Sequence, residues 1–368
     1  MRTTLDDRAL GRATLARQHL LARTTDSAAA MTRHLFGLQA QSPTAPYFAL
    51  WARSEGFRPG DLSRLIADGA VVRIAVMRRT VHAVTAADAL ELRPWLQPIM
   101  DADLRTNARH KRALAGFDVV ALADHARAIL DETPMTLAAL RPHLARRWPD
   151  HDPEALAHAV RDVLPLVQMP PRGLWGRSGG PVCTTLERWT GESLSAPDPE
   201  RLVTRYLRAY GPASVADAQA WSGLTRLGEV FDRLRPRLRC FVDACGTELF
   251  DLPDAPRPDP DTPAPARILA PFDSLLLAHA NRGRVLDDAA RAALFTVNGI
   301  VKPALLVDGR VAGHVATSAK RGAAAVEITL LQRISRRDLP VVEKEAMRLL
   351  RFTHPDAESH DVRIPAVR

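Results

Sequence analysis

Two glutamines, Gln39 and Gln41, flank a single alanine in the stretch Leu35-Phe36-Gly37-Leu38-Gln39-Ala40-Gln41-Ser42-Pro43. A primary amide carries an acceptor oxygen and N–H donors. A converging pair could therefore meet one small target with both kinds of group. Convergence depends on the backbone. In a helix, residues two apart point to nearly opposite sides, whereas in extended chain they share a face. The run 28–38 reads as helix, and Pro43 disfavours helical geometry at the residue before it, so the pair sits where that helix gives out. The blander role for the same side chains is to cap the helix end and bond loop backbone, and spacing alone favours it.

Further polar groups cluster elsewhere. In Met77-Arg78-Arg79-Thr80-Val81-His82 a period of two puts Arg78, Thr80 and His82 on one strand face. That face is either solvated or the polar edge of a phosphate-binding groove. Arg105, Arg109, Lys111 and Arg112, with His110, lie at helix spacing and form either a solvated face or a phosphate grip. His314, Lys320 and Arg321 on the C-terminal strands are further polar candidates, though a lone strand histidine is more often structural. Walker, His-Glu-x-x-His and Gly-x-Ser-x-Gly signatures are missing, as is zinc-ligand spacing. No metal and no cofactor are implied.

The elements that must position these residues recur three times as helices followed by a two-stranded ribbon. The first set has helices at 8–22, 26–38 and 46–54, then a short one from Asp61, which is expected to cap it, to Asp68. Strands at 71–76 and 79–84 complete it. The second has helices at 119–130, 136–144 and 153–164, with strands at 166–169 and 182–186 around a Gly/Pro-rich tip. In the third, helices at 201–210, 215–221 and 226–234 precede strands at 238–242 and 247–252. Helix, turn, helix and ribbon is the winged helix-turn-helix plan. The proline-rich run 253–265 can neither pair in a sheet nor continue a helix, and reads as a stiff linker. Beyond it, strands at 266–271, 302–307, 310–316 and 323–331 and a helix at 339–352 suggest a partial barrel, with Asp308-Gly309 as a type I′ turn. The expected fold is therefore α+β: three tandem winged helix-turn-helix units (1–115, 116–196 and 197–252), the linker, and a β-rich C-terminal module at 266–368.

Composition bounds the partners. A chain of 368 residues accommodates two to four units. No apolar run approaches the ~20 residues of a membrane span, so no membrane partner is expected. The polar N-terminus carries no secretory pattern, and Cys183, Cys240 and Cys245 make neither a metal spacing nor an even disulfide set. The cytoplasm is the expected compartment. A net charge of +8 favours a polyanion. Only Lys111, Lys302, Lys320 and Lys344 are lysine among 50 basic residues, however, a bias that a GC-rich genome produces whatever the function.

The chain resembles the AlkZ-type DNA glycosylases, winged-helix enzymes that unhook interstrand crosslinks. The likeness rests on Gly37-Leu38-Gln39-Ala40-Gln41 and on the hairpin 77–82. It extends to Pro271-Phe272-Asp273, Asn298-Gly299 and Val307-Asp308-Gly309-Arg310-Val311. Arg79 departs from it, standing where many relatives carry a small residue such as glycine. The resemblance implies a C-shaped protein with double-stranded DNA in its concave channel, acting as a monomer. It also implies that Gln39 and Gln41 are catalytic in the hydrolysis of N7-alkylpurine glycosidic bonds, in crosslinks as well as adducts. Such a base is already cationic and leaves without a general acid, so two neutral amides suffice to position water and stabilise the sugar cation. Two Gln residues rather than Gln and Asp point to the branch typical of organisms that make DNA-alkylating antibiotics. Rival readings of the winged helices are a non-enzymatic transcriptional regulator, and a protein that sequesters drug or damaged DNA without turnover.

Overall fold

A computed structural model describes residues 3–365, without the side chains of 108–110. The chain opens with strand β1 (Thr4–Leu5) and helix α1 (Asp7–Arg17), capped by the Asp6 carboxylate, which accepts from the Ala9 N–H at 2.7 Å. One order of elements then appears three times: helix, short strand, two helices, two strands. The first set is α2 (Ala28–His34), β2 (Leu38–Gln39), α3 (Ala45–Arg53), α4 (Pro59–Ala67), β3 (Val71–Ala75) and β4 (Val81–Thr85). Helices α5 (Ala86–Trp95), α6 (Gln97–Thr106) and α7 (Ala108–Ala113) intervene. The second set is α8 (Val119–Glu132), β5 (Met135–Thr136), α9 (Leu137–Arg147), α10 (Pro153–Val163), β6 (Leu166–Gln168) and β7 (Val182–Thr185). After the short α11 (Leu186–Thr190), the third has α12 (Pro199–Tyr210), the single bridging residue Ala213, α13 (Val215–Ser222), α14 (Gly228–Leu234), β8 (Arg239–Asp243) and β9 (Glu248–Asp251). In every set the short strand pairs antiparallel with the last: β2 with β4, β5 with β7, Ala213 with Phe250 of β9.

The C-terminal module follows a stretch, 253–265, that holds neither helix nor strand. Strand β10 (Arg267–Ile268) and helix α15 (Asp288–Leu294) lead into β11 (Ala304–Val307), β12 (Arg310–Lys320) and β13 (Ala323–Leu330). Helix α16 (Leu339–Thr353) and strand β14 (Ser359–Arg363) close the chain's described part. The five strands form one sheet in chain order, with β14 parallel to β13. Asp308 and Gly309 both have positive φ, 46° and 78°, as a type I′ turn requires. Val342, Ala346, Leu349 and Leu350 of α16 pack on Val326 and Ile328 of the sheet.

Several boundaries differ from the sequence expectation. The first two ribbons are not separate wings. Strand β3 pairs with β6, through Arg73 opposite Gln168 and Ile74 opposite Val167, and joins them in one six-stranded sheet. The N-terminal segment packs on the first set, where Arg53 Nη2 donates to Gln18 Oε1 at 3.0 Å, but also well beyond it. Strand β1 runs parallel to β8, Leu5 and Leu10 bury against Phe241 and Leu249, and Leu15 and Leu20 join the C-terminal core. Apolar spacing identified its helix but could not identify its partner. Helix α2 ends at His34, because Phe36 and Gly37 take left-handed φ values of 57° and 105°. Asp61 is three residues inside α4, where its carboxylate accepts from the Arg58 N–H at 2.9 Å. Strand β14 and helices α5 and α6 were not foreseen. Among the described residues no helix is long and apolar enough to cross a membrane.

The sheet around β2 separates two cores. Val72, Ile74 and Val84 face Tyr206, Tyr210 and Trp221 of the third set. On the other face Leu38, Ala40 and Ala83 meet Leu50, Leu62 and Ile66. The strand is thus clamped from both sides.

Candidate active site

Strand β2 is extended, so its side chains alternate. Leu38 and Ala40 enter one core, which assigns Gln39 to the opposite face. Gln39 is 8 % exposed and lies opposite His82 of β4, while Gln41, at the bend beyond the strand, is exposed. The backbone around them is pinned. Ala40 N–H donates to Val81 O at 2.7 Å, and Arg73 Nη2 donates to Ala40 O at 3.1 Å. Arg73 was not singled out from sequence, although one arginine in the apolar strand Val71-Val72-Arg73-Ile74-Ala75 was a signal. Burial pushes its pKa down to about 10.

The Gln39 oxygen accepts from Arg78 Nη2 at 2.9 Å, and Arg78 Nη1 donates to the Trp221 carbonyl at the end of α13. Arg78 therefore ties the first set's amide to the third set. It does not continue the strand face of Thr80 and His82, as the two-residue period implied. Residues Met77–Arg79 form a 3₁₀ turn in which Arg78 and Arg79 have φ of 53° and 59°. Left-handed geometry is unfavourable for any residue with a Cβ, which supplies a physical reason for glycine at such a place. Arg79 is held there by ion pairs to Asp103 of α6 and Asp162 of α10. Desolvation, together with the charge of Arg282, lowers the pKa of Arg78 to about 10.

His82 is not on a solvated face; it is 3 % exposed. Burial, reinforced by Arg78, drives its pKa to about 3, so the ring is neutral at physiological pH. Its Nδ1 lies 2.9 Å from Thr80 O. A carbonyl can only accept, so Nδ1 carries the proton and Nε2 is left as an acceptor. Thr80 Oγ1 donates to Met77 O at 3.0 Å. Arg78 and Thr80 therefore bond in and across the turn while remaining half-buried, and His82 is buried on β4. Beside that turn a cleft of about 560 Å³ is bordered by Arg78, Arg79, Asp103, Gly223, Thr225 and Arg226.

The other candidates are dispersed. Arg105, Lys111 and Arg112 are exposed on α6 and α7, and the Arg109 side chain lies outside the described residues. Lys320 and Arg321 are exposed at the tip of the β12–β13 hairpin. His314 is half-buried on β12, its pKa lowered by burial and by Lys302. Among the described residues no three His, Cys, Asp or Glu side chains group to hold a metal.

Residues 32–352 match the family model described as DNA glycosylase AlkZ-like. An "Interstrand DNA cross-link repair glycosylase" of Streptomyces sahachiroi is 24% identical over 323 residues, which is 81% of this chain and 84% of that protein. The solved structure of Streptomyces sahachiroi DNA glycosylase AlkZ aligns with a TM-score of 0.80 at 21% identity, covering 99% of this chain and 100% of that one. This likeness establishes a shared mixed α+β fold.

Proposed function

The chain belongs to the AlkZ-like DNA glycosylase family, and from that premise we propose that it hydrolyses the N-glycosidic bond of N7-alkylated purines and unhooks DNA interstrand crosslinks. In this reading the three repeated sets are winged-helix units that curve around duplex DNA, and the enzyme works as a cytoplasmic monomer. The observation that carries the reading is the state of Gln39: extended, pinned at its backbone neighbour, and held at its oxygen by Arg78.

An amide oxygen has two lone pairs. With one accepting from Arg78, the other remains for a water or for the sugar cation. The guanidinium fixes which way the amide faces, so the dipole needs no reorientation as charge develops. Gln41, exposed at the bend just beyond the strand, supplies the second amide in this reading. One amide orients the attacking water and the other stabilises the oxocarbenium-like sugar. The glycosidic bond breaks with its electron pair going to the already cationic base, which leaves neutral. Water then adds to the anomeric carbon, loses a proton to solvent, and yields an abasic site. No proton has to reach the leaving group, which suits a site where the nearby His82 is neutral and the partner of Gln39 is a guanidinium. Uncharged lesions such as uracil need leaving-group help that these residues do not supply. Self-resistance to a DNA-alkylating antibiotic is the biological setting this selectivity fits.

The test is incubation with duplex DNA carrying a defined N7-alkylguanine or an N7-linked crosslink, followed by hot alkali to reveal abasic sites. Cleavage at the lesion is expected, and absence of base release from both substrates would sink the proposal. Sequence-selective binding without release would favour a regulator instead.

A further inference from the structure

We propose that the tight turn at 296–300 is an apolar wedge, which inserts Val297 and Ile300 between base pairs of the duplex next to the lesion. Val297 is fully exposed and Ile300 half so, which is unusual among the described large apolar side chains; the other exposed ones, Val120 and Val341, stand apart from each other. Single exposed apolar residues need no explanation. Here two share one stiff turn. Thr296 N–H donates to Ile300 O at 2.9 Å, Gly299 N–H to Thr296 O at 2.9 Å, and Ile300 N–H to Thr296 Oγ1 at 3.1 Å. Gly299 takes the positive φ of 73° that closes it. Its stem is the antiparallel bridge of Phe295 with Val301, and Val301 is buried in the C-terminal core. A turn built this firmly holds its two apolar side chains out at little further entropic cost.

The position and charge of the stem name the occupant. The Arg282 guanidinium lies 5.0 Å from the centre of the Phe295 ring, and its charge acts on Arg78, the residue bonded to Gln39. The stem of the turn therefore lies within electrostatic range of the arginine that holds the candidate catalytic amide. Arg282, Arg291 and Lys302 lie around the stem, the first two close enough to interact electrostatically. Apolar tips framed by cations suit a duplex step, with phosphates outside and stacked bases within. The need for such a device rests on the proposed function. A base tethered to the opposite strand cannot be swung freely into a pocket, so the step beside it must be opened by something driven into the stack.

A duplex with 2-aminopurine stacked beside an N7-alkylguanine on a fluorinated deoxyribose, which resists hydrolysis, reports unstacking without turnover. Wild-type protein is expected to raise the fluorescence on binding. The double variant V297S/I300S should lose most of that rise with an unchanged Tm, whereas Val297→Leu should keep it. A rise in V297S/I300S equal to that of the wild type overturns the proposal, as does a wild-type protein that binds without any rise. Concentration-dependent self-association abolished in V297S/I300S, with fluorescence unaffected, would assign the tips to a contact between copies and likewise overturn it. Unstacking by a wild-type protein that releases no base from the hydrolysable lesion would instead sink the proposed function and leave the wedge standing.

Discussion

Strands β2 and β5 occupy the same place in their respective sets, between the first helix and the second, each paired with the set's last strand. Their side chains do different work. In the second set Thr136 ends the strand and immediately caps α9, its hydroxyl accepting from the Ala139 N–H at 3.1 Å. The third set does the same with Ser214, which follows Ala213 and accepts from the Asp217 N–H at 3.1 Å. In the first set the strand ends at Gln39, the chain runs on through Gln41, and α3 begins only at Ala45. Thr44, at its N-cap, makes no side-chain cap bond, although Pro46 in the first turn partly compensates. Where two sets place a helix cap, the first opens a short loop carrying amides. A cap contributes about 1 kcal/mol, and giving it up leaves a clamped segment free for the role proposed for its amides.

The sharpest way to break this comparison is to truncate the amides. Gln39→Ala is expected to slow release of an N7-alkylguanine by roughly 10²–10³-fold, the range for one preorganised group aimed at developing charge. Gln41→Ala should fall in the same range, and because Gln41 is exposed its Tm should not move. Folded single variants that both release base at the wild-type rate would return β2 to the same structural status as β5.

A smaller effect is expected from Arg78→Lys. An ammonium cannot bond the Gln39 oxygen and the Trp221 carbonyl with the fork of a guanidinium. The charge remains while the amide loses its fixed orientation, so kcat should drop about tenfold with KM little changed. A rise in KM at constant kcat would make Arg78 a substrate-binding residue rather than a positioning one.

How much of this was legible from the chain depends on the range of the interaction. Helix starts carrying their own caps were readable, as at Thr136, Asp152 and Ser214, because the cap bond is local. The turn at Asp308-Gly309 was readable for the same reason. The pairing of β3 with β6 and of β1 with β8 was not, because nothing in an alternating strand names its neighbour. At the site, the end of the helix before Gln39 was readable from the proline and the spacing, and the extended backbone reaches Gln39, with Gln41 in the bend beyond. The role of Arg78 was not readable. A two-residue period assumed a strand through 78, whereas two consecutive left-handed residues break the period and turn the guanidinium back onto Gln39. His82 looked like a surface residue for a related reason. Its strand neighbour Val84 packs against the third set, far along the sequence.

His82 offers a pH test of that burial. Its pKa is lowered in the fold, to about 3, relative to about 6.5 in an unfolded chain. Between those values the unfolded state binds the extra proton, so stability is complete above pH ~6.5 and is lost as pH falls toward 3. The slope from this residue is at most about 1.4 kcal/mol per pH unit. His279, also buried with a lowered pKa, titrates in the same window, so the informative quantity is a difference between proteins. His82→Gln should flatten the fall in stability between pH 6.5 and 4 relative to wild type. An unchanged slope would mean that the ring is not held neutral on the sheet face it shares with Gln39.

The smallest effect belongs to the caps themselves, and it is the one that makes the comparison quantitative. Thr136→Ala and Ser214→Ala each remove a hydroxyl that accepts a helix N–H, and each should cost about 1 kcal/mol of stability by denaturant titration. Ser214 belongs to a reciprocal capping box, in which the Asp217 carboxylate accepts from the Ser214 N–H at 2.9 Å. That second bond survives truncation of the hydroxyl, so its loss should be no larger than that at Thr136. Neither change should alter base release, because neither position faces the Gln39 strand. Activity lost at Thr136 in step with that at Gln39 would show that the equivalent strands act together on DNA, and the division between capping and chemistry would fail.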